Sequence, residues 1–188
     1  MNETAYIAIV VIVVLIIAAA LIFMEWRNRH TKHLKSQFGP EYSRAVEAAG
    51  SRGKAEADLL EREKRVEAFD LKPLDPEARR GFTERWSVIQ SEFVDTPNRA
   101  VADADALTVD VMTARGYPMS EFDQRAADIS VDHPQVVQNY RTAHAIALRN
   151  AKDGADTEDL RQATVAYRAL FEELVGDGQG EEHAPAKA

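Results

Sequence analysis

Residues 5 to 24 read AYIAIVVIVVLIIAAALIFM, an unbroken apolar run without a charge, a glycine or a proline. At 1.5 Å per residue a helix of this length extends about 30 Å, the thickness of the hydrocarbon core of a bilayer. Hydrocarbon offers backbone N–H and C=O groups no partner, so a lone segment is stable there only as an α-helix. The run predicts a transmembrane helix over 5–24 that partners the lipid bilayer, with a short tail over 1–4 before it. Tyr6 and Trp26 stand near its ends, where amphipathic rings favour the membrane interface.

The flanks are unequal. Only Glu3 is charged before the run, whereas Glu25 to Lys35 carries Arg27, Arg29, Lys32 and Lys35 together with His30 and His33. This basic juxtamembrane collar, assigned to 25–38, orients the span with its N-terminus outside and its C-terminal domain in the cytoplasm. The collar can also attract anionic headgroups at about 1 kcal/mol per cation, although four cations suffice to orient a span and the cluster is short for a dedicated lipid-recognition site. The competing reading is a cleaved and secreted protein, with Ala18-Ala19-Ala20 as the small-residue cleavage site. Against it stand the acidic N-terminus and an apolar stretch longer than the roughly 7 to 15 residues of a signal peptide.

The chain has 188 residues, 23 Lys plus Arg against 31 Asp plus Glu, and no Cys. Four of those cations and two of those acids lie at or before Lys35, so the remainder is strongly acidic beneath a basic collar. An acidic domain repels phosphate, which argues against nucleic acid as a partner, and the missing thiols exclude disulfide scaffolds, thiolate metal sites and Cys nucleophiles. The charge also favours presentation to protein partners over lying flat on an anionic leaflet.

Beyond the collar, helix punctuation recurs. Gly39-Pro40 ends one helix and begins another, with Tyr42, Val46 and Ala49 as a weak stripe that falters at Gly50 to Gly53. Ala55, Leu59, Val66 and Phe69 then resume a short heptad-like run, with Arg62 in the missing seam position and Asp58–Arg62 and Glu61–Arg65 as favourable (i, i+4) pairs. The segment 39–70 reads as a charged helical stalk, and its run over 54–69 leaves self-association open.

Asp75-Pro76 is an N-cap followed by an N1 proline, and the helix it starts carries Phe82, Trp86, Ile89 and Phe93 on one face. Asp95-Thr96-Pro97 repeats the capping logic before Ala100, Ala104, Leu107, Val111 and Met112. Ser120 with Asp123 resembles a capping box for a short helix carrying Phe122, Ala126 and Ile129. Val131 to Pro134 opens a longer helix with Val137, Tyr140, His144 and Ala147, closed at Gly154, and the last helix runs from Asp156-Thr157 to Gly176. No alternating strand pattern intervenes. The expectation is an all-α protein, one N-terminal transmembrane helix followed by a bundle of about five to six helices over 71–176, with 177–188 too polar and Gly-rich to pack.

Catalytic motifs are missing. No HExxH or Gly-x-Ser-x-Gly occurs, and Gly176, Gly178 and Gly180 lack the strand and helix a phosphate loop needs. The acids at 153, 156, 158 and 159 fail the EF-hand pattern and read as helix-start carboxylates. Asp132 beside His133 reads as capping chemistry. No catalytic residue, metal or cofactor is expected. The weak ligand-binding candidates are Trp86, Tyr140 and His144, the last two one turn apart on one face and open to a proton-handling role.

The segments QFGPEY (Gln37 to Tyr42), ARGYP (Ala114 to Pro118), QRAADISVDHP (Gln124 to Pro134), NYRTAHAIA (Asn139 to Ala147) and DTEDLRQA (Asp156 to Ala163) resemble a group of uncharacterised bacterial single-span proteins. The resemblance covers most of the chain from Gln37 to Leu174 and implies a bacterial cell membrane and an anchored helical domain, with no catalytic residue to carry over. The expected function is a membrane-anchored, non-enzymatic helical interaction or scaffold module. It would meet an unknown protein partner through the helix of Tyr140 and His144, or through the loops at Tyr117-Pro118 and His133-Pro134. The alternatives are a small-ligand sensor or enzyme with an interhelical pocket around Tyr140 and His144, and a self-associating stalk.

Overall fold

The computed structural model describes the backbone of residues 3–176 and side chains from Val11 onward, so the Tyr6 side chain and the expected disordered tail lie outside the described residues. Eight helices and no strand make up the described residues, which are 83% helical. They are α1 (Glu3–Phe38), α2 (Pro40–Ala49), α3 (Arg52–Glu67), α4 (Pro76–Glu92), α5 (Pro97–Ala114), α6 (Phe122–Asp132), α7 (Val137–Asp153) and α8 (Thr157–Gly176).

Helix α1 is long and apolar enough to cross a membrane, and the apolar side chains from Val11 to Met24 stand exposed along it. By length and composition it suits an anchor or a signal sequence. The collar is not a separate segment, because α1 runs through it without a break and docks its last turns on the domain. Leu34 and Phe38 are fully buried there, Thr31 Oγ1 donates to Glu56 Oε1 at 2.8 Å, and Gln37 Nε2 donates to the Val131 carbonyl at 2.9 Å.

Two apolar clusters follow. The smaller joins Leu34 and Phe38 of α1 to Tyr42 and Ala45 of α2, Ala55, Leu59 and Val66 of α3, and Val131 of α6. The seam expected of a stalk is thus covered within the chain. The larger cluster is the five-helix bundle α4–α8, in which α8 packs on both α5 and α7 and α4 packs on α5. Partly buried Phe69 and Leu71 touch both clusters and knit them together.

Most of the expected punctuation holds. Asp75 Oδ1 accepts from the amides of Glu77 and Ala78 at 3.0 and 2.8 Å, and Asp156 Oδ1 accepts from the Asp159 amide at 2.8 Å. Glu158 is engaged by Arg161 and Asp159 by Arg149, which accounts for those acids without a cation.

Three local expectations are corrected. Ser120 caps nothing: its hydroxyl has no partner among the described residues, and Glu121 precedes α6 without a side-chain cap. Thr96 precedes α5, but its hydroxyl donates back to the Glu92 carbonyl, so the N1 proline rather than a cap begins that helix. His133 closes α6 through its amide on the Ile129 carbonyl, and its own carbonyl accepts from the Val136 and Val137 amides in a turn, so α7 starts only at Val137. Asp132 is therefore no cap either, and its carboxylate accepts from the Tyr117 hydroxyl at 3.0 Å.

Candidate functional site

Trp86 and Tyr140 belong to the large cluster and His144 stacks on Phe122 beside it, and the three candidates do not share one site. Tyr140 on α7 is fully buried, its hydroxyl accepting from Arg125 Nε at 3.2 Å. One turn on, His144 lies flat against Phe122 of α6, ring centroids 3.6 Å apart, with Nδ1 enclosed 4.0 Å from Asp105 Oδ1 of α5. Tyr167 of α8 donates to the same Asp105 oxygen at 2.9 Å and meets Tyr140 edge-on. Five residues from four helices thereby converge: Asp105, Arg125, Tyr140, His144 and Tyr167.

The electrostatics of this convergence favour neutral rings. Burial pushes both tyrosine hydroxyls above their ordinary range, Asp105 adding to the rise at Tyr167 and Arg125 opposing it at Tyr140. Burial likewise pulls His144 below the ordinary imidazole value, against the opposing pull of Asp105. Neither Tyr140 nor His144 lines any of the five cavities along α1, α2, α4, α5 and α8. Phe122 packs against both rings and Tyr167 meets Tyr140 edge-on. Tyr117 and His133, offered as loop contact points, are also buried.

Trp86 is placed differently. The Asp75 cap sets the register of α4 so that Trp86 and Ile89 face the core, and the Trp86 ring stacks on Phe171 of α8 with centroids 4.9 Å apart. The pair forms one wall of an open groove of ≈ 460 Å³ between α4 and α8, bordered by Arg79, Ser87, Arg168 and Val175. Arg168 is committed to Glu172 at 2.7 Å. Arg79 has no ion pair among the described residues, and its Nε, like Trp86 Nε1, is enclosed without a hydrogen-bond acceptor. An unmet buried donor costs about 1–3 kcal/mol, a cost that an entering acceptor can relieve. The groove offers an aromatic wall and uncompensated donors. Its hydroxyls are Thr83 and Ser87, and no group of His, Asp and Glu suited to a metal occurs among the described residues.

Sequence reasoning passed over a buried carboxylate that faces three arginines. Glu41, in the first turn of α2, keeps 2% of its side chain exposed and accepts from Arg141 Nη1 and Nη2 of α7 at 2.7 and 2.8 Å. Arg62 of α3 adds a third bond at 3.0 Å, and Arg44 stands 3.6 Å away. Arg62 also reaches Ser130 of α6 and Asp58, so one carboxylate ties α2, α3, α6 and α7 together. Beside it, Arg65 Nε donates to buried Asp128 at 2.8 Å.

Among the proposed interface cations, Arg29 pairs with Glu25 at 3.0 Å, and Lys35 lies over the Tyr42 ring at 5.4 Å. Trp26 is exposed and stacked on His30. The chain is thus an all-α protein whose span-length first helix is built into a helical domain. No protein family, curated protein or solved structure matches it.

Proposed function

We propose that the protein is a membrane-tethered, non-enzymatic binding module of a bacterial cell membrane, its helical domain on the cytoplasmic side and its partner-binding surface the α4–α8 groove. The apolar run and the basic collar support the tether and its orientation. The observation that carries the binding role is the groove itself, in which Trp86 and Arg79 keep enclosed donors without acceptors among the described residues, beside the edge of the stacked Trp86 and Phe171 rings. Such a surface suits a protein segment that brings an apolar side chain together with a carbonyl or carboxylate.

A photo-crosslinking residue in place of Gln90, on the rim of the groove, tests this in the full-length protein in cells. A discrete adduct that disappears in Arg79→Glu is expected, and adducts no stronger than those from an exposed position on α3 would overturn the reading. Protease protection of a C-terminal tag tests the orientation independently. Protection until the membrane is lysed is expected, and digestion in intact cells stripped of their outer barrier would reverse it.

A further inference from the structure

A second groove, of ≈ 400 Å³, lies where α1 leaves its apolar run. Leu21 and Met24 form one end of it, and Arg27, Asn28, Thr31 and Arg52 form the other. Arg52 belongs to the domain and is brought there by the turn between α2 and α3. Gly50 ends α2 with φ 65 in the left-handed region, and the Ser51 hydroxyl accepts from the Lys54 amide to start α3, so Arg52 opens that helix beside the end of the span. The placement is braced by Glu56 Oε1, which accepts from both Thr31 of α1 and Tyr42 of α2 at 2.8 Å.

The charges in the groove are unbalanced. Arg27 and Arg52 have no carboxylate partner among the described residues, while Glu25, the one acid lining the groove, is engaged by Arg29 at 3.0 Å. Two free guanidinium groups therefore stand at the boundary between apolar and polar surface. A guanidinium matches a phosphate with paired N–H donors, and adjoining apolar surface accepts hydrocarbon.

We infer that this groove holds one anionic phospholipid, its phosphate between Arg27 and Arg52 and the start of an acyl chain against Leu21 and Met24. The preference for an anionic headgroup follows from the two guanidinium groups, which outnumber Glu25, the one carboxylate on the lining, itself paired with Arg29. This inference rests on the membrane-spanning reading of α1.

The test uses the full-length protein reconstituted into nanodiscs of mixed phosphatidylcholine and phosphatidylglycerol. Native mass spectrometry after detergent release counts which lipid stays bound. Phosphatidylglycerol should be enriched, and Arg27→Gln and Arg52→Gln should each lower the enrichment about fivefold, the equivalent of one cation at a membrane surface. Lys32→Gln, a collar cation that does not line the groove, should leave it within about twofold. Equal losses from all three variants would mean diffuse attraction and overturn the site. Loss of the retained lipid to millimolar glycerol phosphate would overturn the lipid assignment in favour of a free-anion site. Failure to enter nanodiscs of phosphatidylcholine alone would overturn the spanning reading itself, whereas entry without enrichment would overturn only the lipid site. Retention of helical circular dichroism by each variant establishes that folding is intact.

Discussion

Replacing Glu41 with Gln keeps the shape of the side chain and removes its charge from beneath three arginines. The Arg141 and Arg62 side chains keep 14% and 12% exposure, so both are mostly withdrawn from water once the carboxylate no longer compensates them. Burial already pulls the Arg141 guanidinium below its usual value, and the Glu41 carboxylate is the main force opposing that pull. Removing one partner of a fully buried ion pair costs about 3–5 kcal/mol. Residual water at the guanidinium groups and the amide oxygen kept by Gln move the expectation to the lower end, about 3 kcal/mol. That is a large share of the roughly 5–15 kcal/mol by which a domain is stable.

The assay is urea denaturation of the full-length protein in detergent, followed by circular dichroism and by the fluorescence of core-buried Trp86. The effect should be specific to charge. Substituting Glu41, Arg62 and Arg141 together with apolar residues of similar size should recover most of the lost stability, because no buried charge is then orphaned. A Glu41→Gln loss below about 1 kcal/mol, the scale of an exposed ion pair, would refute the reasoning and show that water enters freely between α2 and α7.

Gly116 has φ 98, and a Cβ there would collide with the Asp70 backbone carbonyl, whereas Gly50 at φ 65 faces open space. Gly116→Ala should therefore cost about 3 kcal/mol in the same denaturation experiment and Gly50→Ala about 1, and equal costs would contradict the steric account. Asp75→Ala removes the cap on two α4 amides and should cost about 1 kcal/mol, with no loss signalling that the proline at 76 suffices to start the helix. Burial depresses the His144 pKa from 6.5, against Asp105 and Asp123 and with Arg125, so the unfolded chain takes up the proton first as pH falls. Its contribution is whole above about pH 6.5 and is lost as pH falls through the lower folded-state value, so His144→Gln should flatten the decline of stability there, and an unchanged slope would refute this.

The fold was legible where its signals were local. Gly39-Pro40, Asp75-Pro76 and Asp156-Thr157 each mark a helix boundary through one residue's backbone preference or one short-range hydrogen bond, and each boundary lies within a residue of where those signals put it. The α5 stripe is buried residue for residue because its period follows from helix geometry alone. The Glu41 cluster had no such signal. Its partners lie 3, 21 and 100 positions away, and a first-turn glutamate in PEYSRA is indistinguishable from an ordinary solvated helix-start acid until α7 folds across it. The α4–α8 groove was half legible, since helical period placed Trp86 on an apolar face but could not tell a residue at the rim of the core from one at its centre. Tyr140 and His144 invert that case. Their shared face was correctly read, yet the space between them is taken by Phe122 from α6, a neighbour no spacing along α7 reveals.

The continuity of α1 has a mechanical consequence for the proposed function. A tether that ended at Met24 and resumed through a loop would let the domain swing and present its groove in any direction. Here the helix runs unbroken to Phe38, about 21 Å beyond Met24, and is fixed by Leu34, Phe38, Thr31 and Gln37 to α2, α3 and α6. The α2–α3 turn comes back along α1 until Arg52 stands beside Met24. The domain is thus braced to α1 at two levels, by the buried turns near Phe38 and by the Thr31–Glu56 hydrogen bond two turns nearer the proposed span. A helix held at two points along its length cannot pivot without breaking one of them. The Glu41 cluster extends that brace, because it locks α2 and α3 to α7, and α7 packs on α8, one wall of the groove. Charge buried at Glu41 therefore serves to fix where the groove sits relative to the proposed span, and on the proposed function a variant that loosens it should disturb partner capture at Gln90 without touching a groove residue.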